Sequence, residues 1–373
     1  MNETVRTSAL RRFGDYLLAP LDRWLLVCLL AIYVISLFLL YSADGQSFYR
    51  LENKTVHTVV GFVLLWLIAK TRPQILGNFA LPLYAVGMLL LIGVHFFGVT
   101  VNGSTRWLDL GVARIQPSEI MKIALPVVLA WFFHKYEHEQ RWYHYVIALV
   151  IIALPGVLIL DQPDLGTATL IMASGMFVVF FAGLPWKVIF GGIGALAAAL
   201  PLWWQYGMHD YQKRRVLTLF DPEQDRLGAG YHILQSMTAI GSGGFWGKGW
   251  LNGTQAHLDY IPERTTDFIF AVYGEEFGFI GNCLLITLYA VIIGRGLLIA
   301  ARANTLYGRL LAGALTMTLF CYVFVNMGMV SGILPVVGVP LPLMSYGGTA
   351  TLSIMIIIGL LMGVSTQTSK YGE

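Results

Sequence analysis

The chain has 373 residues, 57% of them hydrophobic and only 12% charged, with a mean hydropathy of +0.68. That is about half the charge of an ordinary soluble domain, so a soluble globular protein is excluded. A net charge of +3 is too small to argue for nucleic acid as a partner.

A bilayer core takes about 20 apolar residues per helix. Apolar runs between breakers predict ten spans, at 24–41, 55–69, 79–97, 118–134, 145–160, 167–182, 188–206, 267–293, 309–330 and 347–363. The expectation is an all-α polytopic membrane protein, a single integral membrane domain over 1–373 with about ten transmembrane helices. The first run is too long for a signal-peptide core and lacks a cleavage site, so it stays as a span. Cys28, Cys283 and Cys321 lie inside apolar runs without CxxC or Cys/His spacing, which favours packed thiols over a disulfide or metal centre.

With an even number of spans both termini share one side. Arg6, Arg11, Arg12 and Arg23, then Lys70, Arg72, Lys135, Arg141, Lys187, Arg295, Arg302 and Lys370 all fall on that side. The short loops opposite carry only Arg50, Lys54, Arg106 and Arg114. The positive-inside rule therefore makes 1–23 and 364–373 cytoplasmic. It also places one large loop, 207–266 between helices 7 and 8, outside in the periplasm. That loop holds Lys213, Arg214, Arg215, Arg226, Lys248, Asp259 and Arg264 together with Tyr231, Phe245, Trp246 and Trp250. Its aromatic content argues against a disordered linker and predicts a loop folded onto the membrane surface.

Along the chain, the fourth span opens Gln116-Pro117-Ser118-Glu119-Ile120-Met121-Lys122. Pro117 suits a helix start, and Glu119 and Lys122, three residues apart, share a face where they can pair. A tolerated internal ion pair and a pair lining an outward cavity are equally open. His134, His138 and His144 with Glu137 and Glu139 read as a solvated loop rather than a zinc site. Asp161-Gln162-Pro163-Asp164-Leu165-Gly166-Thr167 reads as a mainly structural turn, with Asp164 or Thr167 capping the next helix.

In the large loop, 241–248 fails as a P-loop because Ser242 stands where the first glycine belongs and Gly249 replaces the magnesium-binding Ser/Thr. Its glycines beside Lys248, with Arg214 and Arg215, could still cradle a phosphate; simple loop flexibility is an equal alternative. The eighth span begins Thr265-Thr266-Asp267. Here a threonine is expected to cap and Asp267 to sit in the first turn, where the helix dipole should lower its pKa. Glu275 and Glu276 follow about 12 Å deeper at 1.5 Å per residue, either bonded to neighbouring helices or lining a proton or cation path.

These segments together closely resemble the SEDS family (shape, elongation, division and sporulation), its elongation branch more than its division branch, over about Trp24 to Gly363. The matching stretches are Asn102–Trp107, Gln116–Lys122, Asp161–Thr167, Tyr231–Gly253, Ile261–Phe270 with Glu275–Gly281, and Leu334–Gly348 with its Pro-Leu-Met-Ser-Tyr-Gly-Gly. The resemblance implies an inner-membrane peptidoglycan glycosyltransferase that polymerises lipid II on the outer face. It implies work alongside a class B penicillin-binding protein, the elongation transpeptidase, and other membrane proteins of the elongation complex. It puts the essential carboxylate on Asp267, a supporting ion pair on Glu119 and Lys122, and an outer-loop pair on Arg106 and Trp107. Arg214, Arg215, Lys248, Arg264 and Ser345 complete the substrate-binding expectation. The family often carries a histidine where this chain has Thr265, a departure that leaves Asp267 untouched.

Glycosyl transfer from a lipid pyrophosphate needs a base for the incoming hydroxyl and positive charge for the departing pyrophosphate. The expectation is that Asp267 serves as base, with Lys122 holding it if helices four and eight meet. Asp267 as ligand of a divalent cation, Mg2+ or Mn2+, is left open. A lipid flippase or secondary transporter is the rival reading, and a non-catalytic scaffold a third. A transporter calls for a midplane site, whereas the charged candidates gather at one face.

Overall fold

In the computed structural model of this protein, residues 18–101, 104–109, 111, 114–208, 210–225, 228–258, 260–261 and 263–370 are described. Arg6, Arg11, Arg12, Asn102, Arg226 and Asp259 lie outside the described residues. The helices are α1 (Arg23–Ala43), α2 (Tyr49–Lys70), α3 (Pro73–Asn78), α4 (Ala80–Phe97), α5 (Pro117–Lys135), α6 (Trp142–Asp161), α7 (Leu165–Phe181), α8 (Trp186–Leu202), α9 (Asp210–Phe220), α10 (Ala229–Ser242), α11 (Thr254–His257), α12 (Ile269–Arg302), α13 (Leu306–Val330) and α14 (Gly348–Lys370). Among the described residues eight helices are long and apolar enough to cross a membrane: α1, α2, α4, α6, α8 continued to Gly207, α12, α13 and α14. The shorter apolar α7 and the 19-residue α5 account for the other two expected segments.

The helices start where local chemistry permits. Asp22 accepts from the Trp24 and Leu25 amides, both at 3.2 Å, at the head of α1. Pro117 opens α5 as expected, since its missing N–H would have no partner there. Thr305 caps α13 through the Gly308 amide. Helices α5, α13 and α14 form the middle of the bundle, with Met121, Leu125, Leu129, Phe133, Leu311, Leu315, Met355 and Ile358 in one continuous buried cluster. The outer helices leave Val27, Val34, Val63, Leu89, Val150 and Phe190 exposed. Such faces are stable against hydrocarbon, where no water penalises apolar surface.

One element was not expected. Three short strands form a small antiparallel sheet, β1 (Val99–Val101), β2 (Ser104–Asp109) and β3 (Arg114–Ile115) in the order β1-β2-β3. Val99 pairs with Trp107 and Leu108 with Ile115. Strands this short leave little periodic signal in a sequence.

The glycine-rich part of the large loop packs against a break in α12. A continuous α12 of 34 residues would be about 50 Å long, and it is broken at Gly278 (φ 64°, ψ −158°). The break frees backbone groups that hydrocarbon cannot solvate, and residues 244–249 satisfy them. The Lys248 amide donates to Glu275 O (3.0 Å) and the Gly249 amide to Glu276 O (2.9 Å). In return Phe279 and Ile280 donate to Gly244 O and Phe245 O, at 2.9 and 3.2 Å. A Cβ on Gly247 would strike the Glu276 carbonyl, and one on Gly278 would strike the Gly247 amide. Gly247 and Gly278 therefore serve close backbone approach, a use that neither the phosphate-cradle nor the loop-flexibility reading foresaw.

Candidate active site

Asp267 sits in a turn ahead of α12. The Thr266 and Phe268 amides both donate to Glu263 O, at 3.0 and 3.2 Å, and Thr266 Oγ1 donates to Glu263 Oε2 (2.8 Å). Phe268, with no side-chain cap bond, is the cap residue, and the helix begins at Ile269. The expected threonine cap and first-turn aspartate are thus corrected: Asp267 stands one residue before the cap. The reason is tertiary, since this turn is held by another loop and not by the amides of its own helix.

That loop is the Leu334–Gly348 stretch. Tyr346 N donates to Thr265 O (2.8 Å), and Ser345 Oγ donates to Thr266 O (2.7 Å) while accepting from Leu341 N (2.8 Å). Asn326 of α13 ties both segments, donating from Nδ2 to Asp267 O (2.8 Å) and Val339 O (2.7 Å). On the other flank Arg50 Nη1 donates to Thr265 Oγ1 (2.8 Å) and pairs with Asp44 (2.9 Å). Arg264 Nε donates to Ala43 O (2.5 Å).

The electrostatic setting comes from the sheet and the turn before α7. Arg106 of β2 pairs with Asp164 (3.2 Å) and donates to Pro163 O (2.9 Å). Asp164, only 3% exposed, also caps α7 through the Thr167 amide (3.1 Å). The turn at 161–167 is therefore structural, as read, and in addition the anchor of Arg106. Asp267 is half-buried. Burial pushes its carboxyl up to about 6, Glu263 and Asp164 add in the same direction, and Arg106 opposes them. The expected lowering by the helix dipole is overturned, because lost hydration and two nearby carboxylates outweigh a dipole that starts beyond the residue. No hydrogen bond to the Asp267 carboxylate is found among the described residues.

Glu119 and Lys122 pair at 2.5 Å, both buried. Ser353 of α14 donates to Glu119 Oε2 (2.5 Å), and the Lys122 ammonium lies 4.6 Å from the Tyr322 ring centre. Contact of Lys122 with Asp267 is not observed: α5 packs chiefly on α4, α13, α7 and α14, not on α12. Lys122 instead faces, across a small cavity, the same loop at Pro340, Pro342 and Ser345 that braces Asp267 from behind.

The remaining candidates divide. Lys248 donates to Glu275 Oε1 (2.6 Å) and Thr254 Oγ1 (2.7 Å), so its charge neutralises a buried glutamate and does not face a ligand. Glu276 accepts from Ser42 of α1, and Glu275 also accepts from the Gln255 amide (3.0 Å). These bonds match the reading of the acidic pair as bonded to its surroundings and remove support for an ion path. Arg214 is exposed and Arg215 half-buried on α9. Trp107 follows Arg106 in a strand, so it points to the opposite face of the sheet. Ser345 is buried with its hydroxyl engaged on both sides, so it braces the turn before Asp267.

Sequence reasoning missed Asn326 and the second task of Asp164. Asn326 had a readable signal, a lone amide inside an apolar span. For a metal the donor set does not fit: among the described residues no group of three or more His, Cys, Asp or Glu is placed to hold an ion. Asp164 is engaged by Arg106 and Glu263 by Thr266.

Comparison with known proteins follows the same architecture. The FTSW_RODA_SPOVE model, described as cell cycle protein, matches residues 16–370. The chain is 50% identical over 347 residues to the peptidoglycan glycosyltransferase MrdB of Escherichia coli K12, covering 93% of this chain and 94% of the relative. A chain of a solved peptidoglycan synthase complex that coordinates polymerization and crosslinking superposes with a TM-score of 0.83 at 31% identity, over 94% of this chain and 99% of that one. The rod shape determining protein RodA of Thermus thermophilus superposes at 0.70 with 29% identity, over 92% and 96%.

Proposed function

This chain belongs to the FtsW/RodA/SpoVE family of cell cycle proteins, and from that premise we propose a reaction and a place for it. The protein is a membrane-embedded peptidoglycan glycosyltransferase. It polymerises lipid II into glycan strands at the outer face of the bacterial inner membrane during cell elongation, with Asp267 as the essential carboxylate. The observation that carries the site is the Asp267 carboxyl itself: half-buried, raised to about 6, with Arg106 opposing that rise. A base whose pKa approaches the working pH abstracts a proton best.

Asp267 takes the proton of the acceptor sugar's 4-hydroxyl, and the oxygen attacks the anomeric carbon of the lipid-linked donor with inversion. The anomeric C–O bond breaks, and undecaprenyl diphosphate leaves with the electron pair. Arg106 and Arg264 lie on the elements that flank Asp267 and balance the developing pyrophosphate charge, and Arg214 and Arg215 of α9 add positive charge in the large loop. Glu119 and Lys122 support the loop behind Asp267. No step is routed through a divalent cation, since the carboxylates near Asp267 are already engaged.

The single integral membrane domain has both termini in the cytoplasm (1–23 and 364–373), its 207–266 loop in the periplasm and its active site facing the periplasm. A class B penicillin-binding protein cross-links the strands it makes, alongside other membrane proteins of the elongation complex. The likeness to a chain of a synthase complex supports that pairing.

The test is lipid II polymerisation by the purified protein with its class B partner, comparing wild type with Asp267→Ala and Asp267→Asn at matched folding and partner binding. Glycan ladders vanish in both variants, a fall of about 10³-fold or more. Undiminished ladders would remove Asp267 from the mechanism.

A further inference from the structure

Lys54 lies in the first turns of α2, where a membrane helix seldom carries a lysine turned into the protein. It is 2% exposed. Its ammonium donates to Met344 O at 2.5 Å and to Ser345 O at 3.4 Å, and among the described residues no carboxylate pairs with it. A buried lysine amine held only by carbonyl dipoles is an expensive way to fill space, so its value must lie in what it holds.

What it holds is the turn that braces Asp267. Leu343 there has φ 66°, a left-handed conformation strained for a γ-branched residue. Such a turn persists only when its surroundings over-determine it. Tyr289 of α12 donates to Pro342 O (2.6 Å) on one side of Leu343, and Lys54 takes the carbonyls of the next two residues on the other. Immediately beyond, Ser345 Oγ and Tyr346 N grip the carbonyls of Thr266 and Thr265. Four consecutive residues, Leu343 to Tyr346, thus carry a force from α2 to the residue before Asp267.

We infer that Lys54 is a positioning residue for glycosyl transfer, acting through the Leu343–Tyr346 turn to hold Asp267 in its half-buried setting without touching substrate. The inference rests on Asp267 being the essential carboxylate. It predicts that loss of the ammonium releases the turn, lets water reach Asp267 and misplaces the carboxylate by a fraction of an ångström, an error that catalysis feels more than binding does.

The experiment compares wild type, Lys54→Met, Lys54→Gln, Lys54→Arg and Asp267→Ala as full-length protein with the class B partner, reading kcat, KM for lipid II and the pH–rate profile. Lys54→Met is expected to lower kcat by about 10- to 100-fold with KM within about 2-fold. The acid limb, near pH 6 in wild type, moves toward the ordinary carboxylate value as Asp267 is hydrated. A merely packing role would lower the yield of folded protein and leave that limb in place. Lys54→Arg, which keeps a cationic donor, is expected to retain most of kcat and the limb. If Lys54→Met does not fold, Lys54→Gln, too short to reach both carbonyls, decides: a folded protein with reduced kcat and a shifted limb supports the inference, and one with wild-type kcat and limb overturns it. Wild-type behaviour of Lys54→Met beside a dead Asp267→Ala overturns the role of Lys54 alone, whereas an active Asp267→Ala overturns the reading on which it rests.

Discussion

Two acidic places, one within α12 and one in the turn just ahead of it, differ in how they are finished. At the Gly278 break, Glu275 is 0% exposed and receives Lys248, Thr254 and the Gln255 amide, while its own carbonyl and that of Glu276 are taken by the incoming loop. At the head of the helix, Asp267 has its backbone carbonyl held by Asn326 but no hydrogen bond on its carboxylate among the described residues. At the first place the Glu275 carboxylate is committed to protein donors and is therefore structural. The second has a rigid backbone with an uncommitted side chain, which is what chemistry requires. Depth in the membrane did not separate the two; the presence or absence of partners did.

That contrast can be broken most severely at the Gly278 end. Gly247→Val or Gly278→Val drives a side chain into a carbonyl or amide of the facing segment. It should cost several kcal/mol, read as loss of monodisperse protein in size-exclusion chromatography and a large fall in thermal midpoint. If either variant keeps the wild-type midpoint, the docked loop is not what closes the break.

Lys248→Met comes next. It leaves Glu275 buried without its cation, and removing one partner of such a pair costs about 3 kcal/mol, visible in thermal unfolding. Arg106→Met acts at the other end; it also leaves the buried Asp164 without its cation, so its activity is read at matched amounts of folded protein. Polymerisation should fall about 10²-fold, roughly 2.7 kcal/mol of transition-state stabilisation. Arg106 holds the Asp267 pKa down, so its removal raises that pKa and shifts the acid limb of the pH–rate profile above pH 6. A limb that stays in place would separate Arg106 from Asp267.

The smallest effect has the opposite sign. A carboxyl raised to about 6 in the folded protein favours the protonated form, so folding loses stability as pH climbs from the unfolded value near 4 through about 6. Asp267→Asn, neutral at every pH, should therefore be more stable than wild type by about 1–3 kcal/mol above pH 7. The difference vanishes below pH 4, and urea or thermal titration at the two pH values measures it. Equal stability at pH 8 would mean that Asp267 is better hydrated than its setting implies.

Arg106 entered as a candidate through the family resemblance, whereas the membrane class, the helix positions and the candidates Asp267, Glu119 and Lys122 were legible in the sequence because apolar run length and rare charges are local signals. So were the Pro117 start and the pairing of Glu119 with Lys122, which sit one turn apart. Partners were not legible. Whether Lys248 meets a phosphate or Glu275, 27 residues on, whether Ser345 touches substrate or Thr266 O, 79 residues away, and whether the Asp267 pKa falls or rises all depend on which segments meet in the bundle. In hydrocarbon every backbone group must find a partner inside the protein. A one-residue interruption at Gly278 therefore recruits a distant loop, a consequence that only the folded chain reveals.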